Sequence, residues 1–594
     1  MDQLHNMKEI KFPNGTYKDW EEKVAATLKG KTVESLFSST YEGIKRKPLY
    51  TEQDIKGASN YFPKGASNDW FVSQKLPSGL SLSQLNDILQ TEFKVGLEAV
   101  HFETKEVHIG ALEDLHTLLH SINLTETPLH VYTGVNVSDF YNLLKEYLHT
   151  QQVNLQTITG YIGMDPIGEF AQTGELQLSE ATYSSVANTI KEVPNVRTIW
   201  VRSEPYHEAG ANAVQELAAT MATAVEYLTQ LIERGLSIDE AANTFVFSYN
   251  VGSDLFMELA KVRAAKVMWA TIIQQFGGST QAQQMTIHAT TSSINKSILD
   301  EHVNMLRTTT EAFSAVVAGV NSLNIGSYSS KENTFSRRIA RNTHYVLKDE
   351  SFLNKVIDPA AGSYYIETLT EELAQNAWGY FQKIEKQGGI ISALTSNTLQ
   401  QDIQQVAIKR VNDIKNRKKK MVGVNMYPNL KDTLVPSETK GNLRKLRIAE
   451  AFENLRLQAS EFKQNTSQEP TITLLNIGKL KEHKPRTDFA TSFFQVGGLQ
   501  VQQSPSLETI ETINEWVSTE WKGKTVCICG TDIAYEENLQ HIVQFLKEVS
   551  QDCFVIVAGK TKIDGVDETI HLHSNCYDQL MTIQTVLGVN KGEA

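Results

Sequence analysis

Between residues 70 and 325, short apolar runs alternate with amphipathic stretches, and this alternation constrains the fold more than any other feature of the chain. The runs fall at 70–72, 99–102, 129–132, 155–161, 198–201, 244–248, 285–288 and 320–325. Eight strand-helix repeats with no repeated motif predict a (β/α)8 barrel, with a two-domain doubly wound arrangement as the alternative. The unit at 196–235 is the most legible. Thr198, Ile199, Trp200 and Val201 suit a strand buried on both faces. Val214, Leu217, Met221, Val225, Leu228 and Ile232 then recur at helical spacing, and Gly235 stops the helix. Ser237 and Glu240 form the capping-box pattern of the next element. Side chains at the carboxyl ends of barrel strands face a common mouth, so Arg202 through His207 occupy the place where chemistry is expected.

The rhythm changes after the barrel. Residues 342–389 read as mostly helical, with a turn at Asp358-Pro359 and Ala361-Gly362, and a charged connector follows at 400–470. Its basic run at 415–420, KNRKKK, predicts a solvated helix end or, alternatively, a phosphate-binding segment. From 471 onward, apolar runs at 472–477, 499–501, 526–529, 554–557 and 569–573 alternate with helical patterns at 488–495, 507–521, 538–549 and 577–587. Five strands with intervening helices predict a flavodoxin-like domain. The expected division is an N-terminal arm at 1–60, the barrel at 61–390, a helical connector at 391–470 and the flavodoxin-like domain at 471–594. Residues 19–36 read as a helical arm that either holds a partner chain or folds back on its own domain.

Composition excludes several classes. With 56 Lys plus Arg against 69 Asp plus Glu, the net charge of −13 disfavours nucleic acid and anionic membrane as partners. No apolar run is long enough to span a membrane, and the first residues lack the apolar core of a secretion signal. Four cysteines, all beyond residue 526, are too few for a disulfide scaffold and point to a reducing cytoplasm. Phosphate-loop patterns fail. Phe554 and Ser518 stand where the loop glycine should precede Gly559-Lys560-Thr561 and Gly523-Lys524-Thr525, and Glu169 replaces the lysine after Gly163 and Gly168. His571 with His573, and Cys527 with Cys529, lie two apart on predicted strand faces. No convergent second pair accompanies either, so packing is expected and no metal site.

Several longer stretches carry a resemblance: YHEAGANAVQELA from Tyr206, DLFMELAKVRAAKVMWA from Asp254, FSRRIARNTHYVL from Phe335, VIDPAAGSYYIETLTEELAQNAW from Val356, and KPLYT from Lys47. They resemble the adenosylcobalamin-dependent acyl-CoA mutases, methylmalonyl-CoA mutase in particular, over nearly the whole chain. The resemblance implies a barrel that admits acyl-CoA along its axis and a flavodoxin-like domain that presents cobalamin to the barrel mouth. There the cofactor carries a radical rearrangement of methylmalonyl-CoA to succinyl-CoA, while the protein supplies positioning and electrostatics.

Site by site, the chain departs from that family. The catalytic Tyr-His pair sits two residues before Glu-Ala-Gly-Ala, which puts Glu204 at the tyrosine's place and Pro205 at the histidine's, with Tyr206 and His207 displaced against Glu208. Proline has no side-chain donor and no N–H. Gly163 stands for a substrate-contacting glutamine, and Thr173 for the arginine that pairs with the substrate carboxylate. YFPKGASNDW, ending at Trp70, lacks the Gly-Pro-Tyr whose tyrosine covers the cofactor. In place of the cobalt-binding Asp-x-His-x-x-Gly, Lys481 and Arg486 flank His483, which is read as a vestigial ligand in a solvated turn. No catalytic, cofactor-binding or metal residue is therefore expected in this chain. The resemblance implies a non-catalytic small subunit, with adenosylcobalamin and the acyl-CoA substrate held by a large catalytic methylmalonyl-CoA mutase subunit in a heterodimer. The competing expectation is a self-sufficient acyl-CoA-handling barrel enzyme that uses His207, His288 and Glu204 in a rearranged pocket.

Overall fold

The computed structural model describes residues 15–55, 67–135, 137–431 and 445–590. The tyrosine-insertion comparison at YFPKGASNDW falls mainly on 61–66 and lies outside the described residues. The eight apolar runs become eight parallel strands: β1 (Phe71–Val72), β2 (Val100–Glu103), β3 (Leu129–Tyr132), β4 (Gly160–Met164), β5 (Val196–Arg202), β6 (Phe245–Val251), β7 (Ile287–Thr291) and β8 (Ser322–Asn324). Each pairs with its sequence neighbour, and β8 returns to β1. A bridge between Lys75 and His101, with the Leu76 amide donating to the His101 carbonyl at 2.8 Å, joins β1 to β2 and closes the ring. This closed sheet is a (β/α)8 barrel, not the doubly wound alternative.

One strand begins later than its apolar run suggests. Leu155–Thr157 forms a 3-10 turn, and β4 starts at Gly160. There φ is +118°, and a Cβ would lie 2.2 Å from the Leu129 carbonyl oxygen, so only glycine lets β4 enter beside β3.

The helices that position the sites are α1 (Tyr17–Thr27), α2 (Pro166–Thr173), α3 (Glu204–His207), α4 (Ala213–Glu233), α5 (Leu255–Gln275), α6 (Tyr364–Lys386), α7 (Thr398–Lys415), α8 (Glu450–Thr466), α9 (Leu480–Gln495) and α10 (Asp532–Val549). Asn212 caps α4 through the Gln215 amide, and Gly235 ends it at φ +87°. α5 is buried on its polar side as well. Its Arg263 pairs with Asp358 in the turn before α6 and with Glu367 at 2.8 Å. The predicted turn at 358–362 thus clasps a barrel helix.

The N-terminal segment divides. α1 buries none of its side chains. The strap after it, with the antiparallel pair Ser38–Ser39 and Lys45–Arg46, folds back on the barrel, where Arg46 pairs with Asp254 ahead of α5.

The last five strands are β9 (Thr471–Asn476), β10 (Gln500–Gln503), β11 (Thr525–Cys529), β12 (Phe554–Ala558) and β13 (Glu568–Ile570), all parallel in the order β10-β9-β11-β12-β13. That order is flavodoxin-like, with its switch point between β9 and β11. Cys527 and Cys529 are fully buried in its core. His571 and His573 do not share a strand face, because β13 ends at Ile570 and both lie in the turn beyond it. α9 begins at Leu480, not 488, and carries Pro485 in its second turn. His483 therefore sits on a helix and is 3% exposed, which corrects its reading as a solvated turn residue. Among the described residues, no helix is long and apolar enough to cross a membrane.

Candidate functional site

The barrel axis is filled. His101 on β2, His130 on β3, Tyr161 on β4, Trp200 on β5 and His288 on β7 all point inward and stack on one another. Strands four apart in an eight-stranded ring face each other across the axis, and the rings of His130 and His288 meet there at 6.2 Å. His130 also lies parallel to Tyr161 at 4.2 Å, and Ser73 and Ser322 hold the imidazoles of His130 and His288 at 2.7 and 2.8 Å. Burial keeps all three imidazoles neutral. It draws His101 down to about 4, with Lys75 adding to the effect, and places His130 and His288 well below the ordinary value. Gly163 belongs to this plug. A Cβ there would lie 3.0 Å from the Cβ and amide nitrogen of Trp200, so Trp200 takes the room a longer side chain at 163 needs.

Above the plug, the mouth is a small cavity of about 180 Å³, below the usual range for a ligand pocket. Its charges are matched among themselves. The Lys75 ammonium reaches Glu103 at 3.0 Å, and the Arg202 guanidinium lies 3.9 Å over the Tyr132 ring while donating to Glu169 at 2.7 Å. Glu204 accepts from Lys445 of the connector at 2.8 Å and faces Arg202 at 3.4 Å. Burial alone would raise the Glu204 carboxyl, but Lys445 and Arg202 hold it below the usual range. Pro205 is buried in α3 without a group to offer. Thr173 is exposed at the end of α2, where its hydroxyl donates to the Glu169 carbonyl at 2.8 Å. That places it away from the mouth.

His207 stands apart from Glu204 and His288. Its Nδ1 faces Glu216 Oε2 at 3.0 Å and its Nε2 faces Ser292 Oγ at 2.8 Å. Lys261, wholly buried on α5, reaches Glu216 at 2.8 Å, Glu258 at 2.6 Å and the Asn250 carbonyl at 2.7 Å. Serine, imidazole and carboxylate in this order imitate a nucleophile relay, but Ser292 is 1% exposed and its Oγ also accepts the Ile294 amide at 3.2 Å. The group is a closed polar network that ties α3, α4, α5 and β7 together. Tyr206 is likewise 1% exposed. The three residues of the self-sufficient alternative do not converge: His288 and Glu204 border the mouth, while His207 borders a separate chamber.

Sequence patterns did not single out Glu216, Lys261, Ser292, Asp165 or Lys445. The available signal was phase, because Glu216 and Lys261 are charged residues on the buried sides of α4 and α5. Asp165 caps α2 through the Gly168 amide at 2.9 Å and also accepts from Tyr227 and the Arg202 amide. Burial raises its carboxyl against the opposing pull of Arg202.

In the flavodoxin-like domain, the crevice at the switch point is also filled. Arg486 crosses it from α9, donating to the Gly530 carbonyl at 2.6 Å and to Asp532 on α10, with its guanidinium 4.8 Å over the Tyr535 ring. The Tyr535 hydroxyl lies 2.9 Å from both the Gly530 amide and the Ile528 carbonyl, and 3.1 Å from the Ala558 carbonyl. Both ring nitrogens of His483 are engaged, Nδ1 with Thr487 at 3.0 Å and Nε2 with Ser506 at 2.8 Å. A cobalt ligand needs one nitrogen free and facing the metal, with room for a corrin, and these residues do not fit cobalamin.

A closed barrel followed by a flavodoxin-like domain is the two-part frame implied by the acyl-CoA mutase resemblance. The methylmalonyl-CoA mutase family model matches residues 98–469, and the chain belongs to that family. It is 30% identical over 588 residues to the methylmalonyl-CoA mutase small subunit of Streptomyces virginiae, covering 94% of each chain. To the small subunit from Porphyromonas gingivalis it is 30% identical over 616 residues, covering 97% of this chain and 98% of that one. The methylmalonyl-CoA mutase of Rhizobium meliloti is 31% identical over 457 residues, 69% of this chain and 64% of its own.

Proposed function

We propose that this chain is the non-catalytic subunit of a heterodimeric methylmalonyl-CoA mutase, and that its large partner holds the adenosylcobalamin and the acyl-CoA. The observation that carries the reading is the plugged axis, where rings from β3 and β7 meet in the space a substrate would thread. On this reading Gly163, Thr173, Glu204 and Pro205 are degenerate positions, Tyr206 and His207 are structural, and His483 is vestigial. The full-length likeness to proteins named as small subunits supports it, since the match to the Rhizobium mutase covers less of both chains. The fold is kept because its outer surface is used, with the arm at 1–60 and the connector at 391–470 as the segments that engage the partner. α1, with no side chain buried in its own chain, suits that role. An obligate contact of this kind buries roughly 2,000 Å² or more. Expressing each chain alone and both together, then measuring molar mass by light scattering and mutase turnover, tests the proposal. Turnover by this chain alone, or a partner equally stable and active without it, refutes it.

A further inference from the structure

The basic run at 415–420 is only partly solvated, with Lys418 and Lys420 exposed and the other four residues half-buried. Lys415 caps the Tyr577 ring at 4.2 Å, and Arg417, at φ +56°, reverses the chain after α7. Lys418 and Lys419 are thereby turned beneath the 39–46 strap, where they border a chamber of about 410 Å³. The strap, the loops after β5, β6 and β7, and α7 enclose it. A volume in this range, at the meeting point of three separate parts of a chain, is typical of small-ligand sites.

Most charged groups in the chamber wall already have a hydrogen-bond or ion-pair partner. Arg46 is paired with Asp254, and Lys261 serves both Glu216 and Glu258. Glu42 accepts the Ala213 amide at 3.1 Å, Asp413 accepts the Tyr41 hydroxyl at 2.9 Å, and Arg410 donates to the Gly210 and Ala211 carbonyls at 3.1 and 3.0 Å. Lys409, Lys418 and Lys419 also line the wall, and none has an ion-pair partner among the described residues. Lys409, Arg410 and Lys419 stand 5.4, 4.5 and 5.7 Å from the centre of the same Tyr41 ring. Burial, with Arg410 beside it, pulls the Lys419 ammonium below its ordinary range against the opposing pull of Asp254, Glu42 and Glu258. Lys409 and Lys418 are exposed at the edge, which marks the way in.

We infer that this chamber binds a small organic dianion, a phosphate ester or a dicarboxylate, held by Lys409, Lys418 and Lys419. The full chain, in complex with its partner where it does not purify alone, is titrated with inorganic phosphate and with succinate by calorimetry and thermal shift. Acetate and chloride at matched ionic strength are the monoanion controls. Saturable binding of a dianion is expected, weakened about tenfold or more by K418Q/K419Q. Neither lysine pairs with a protein carboxylate, so the melting temperature of the unliganded double variant stays that of the parent. Lys409→Gln, at the entrance, weakens binding in the same direction. A preference for phosphate assigns a phosphate ester, and one for succinate a dicarboxylate. The site is overturned if neither dianion binds saturably, if acetate does as well, or if K418Q/K419Q binds unchanged.

Discussion

His207 is the residue whose type most invites a catalytic role, yet its surroundings favour a structural one. Both ring nitrogens are engaged inside the protein, with Glu216 and Ser292. His207→Ala leaves those buried partners short of a hydrogen bond, which costs about 1–3 kcal/mol in urea unfolding. Mutase turnover of the assembled enzyme stays at the parent value. A hundredfold fall with assembly intact would instead mark a live acid-base group. Gly163 makes the complementary case. A glutamine there forces its Cβ against the Cβ and amide of Trp200 and the Thr198 carbonyl, at an overpacking cost of about 1–3 kcal/mol. Alanine at 200 keeps that Cβ and amide, so G163Q/W200A loses about the sum of what the two single variants lose. Recovery beyond additivity in that double-mutant cycle would instead place the crowding on the Trp200 indole.

At the scale of an element, the start of α9 is a packed helix end. Its first turns place His483 between Thr487 and Ser506 and send Arg486 across the strand ends. The isolated chain mixed with cob(II)alamin should therefore show no base-on state in which a protein histidine replaces the cofactor's own base. Labelling histidine with nitrogen-15 and recording electron paramagnetic resonance makes the distinction, because a labelled-nitrogen splitting would assign His483 to cobalt. The connector packs against the barrel in a comparable way. Lys445 pairs with Glu204 at the mouth, and the next residue, Leu446, donates its amide to the Glu208 carbonyl, so a segment from outside the barrel covers its opening.

For the whole molecule, the plug gives stability a pH dependence. His101, His130 and His288 are neutral in the folded protein and have pKa values below the unfolded one, so the unfolded chain binds more protons once the pH drops below about 6.5. Their contribution is complete above that pH and is lost as the pH falls toward the folded values. With His101 at about 4, that single group accounts for roughly 3 kcal/mol by pH 4. Lys75 and Glu103 face His101 from the mouth, and their ion pair persists through the window 6.5 to 5. The melting temperature should be flat from pH 8 to 7 and fall steadily from 6.5 to 5. His288→Asn should make that fall shallower. An equal slope in the variant would place the acid sensitivity elsewhere.

Periodicity by itself determined the frame. Each of the eight barrel strands and the five of the second sheet overlaps an apolar run, because a strand buried on both faces is apolar along its length, though β4 and β7 extend past theirs and the half-exposed β10 keeps only Val501 of the apolar residues in its run. The motif comparison likewise marked Glu204, Pro205, Gly163 and Lys481 as departures from the pattern of the family the chain resembles, since residue type is visible in the sequence alone. What lies across from a residue is not. Trp200 and His288 read locally as strand residues, and only closure of the ring brings side chains from opposite strands together to fill the axis. Lys419 read as solvated, but a left-handed turn at Arg417 half-buries it under a strap nearly four hundred residues earlier in the chain, with Lys418 still exposed at the edge. His483 read as exposed because the helix through Pro485 receives much of its support from Ser506 and Gly530, partners distant in sequence. Whether a site is open or closed depends on volume shared between distant segments, and that volume exists only once the tertiary structure has formed.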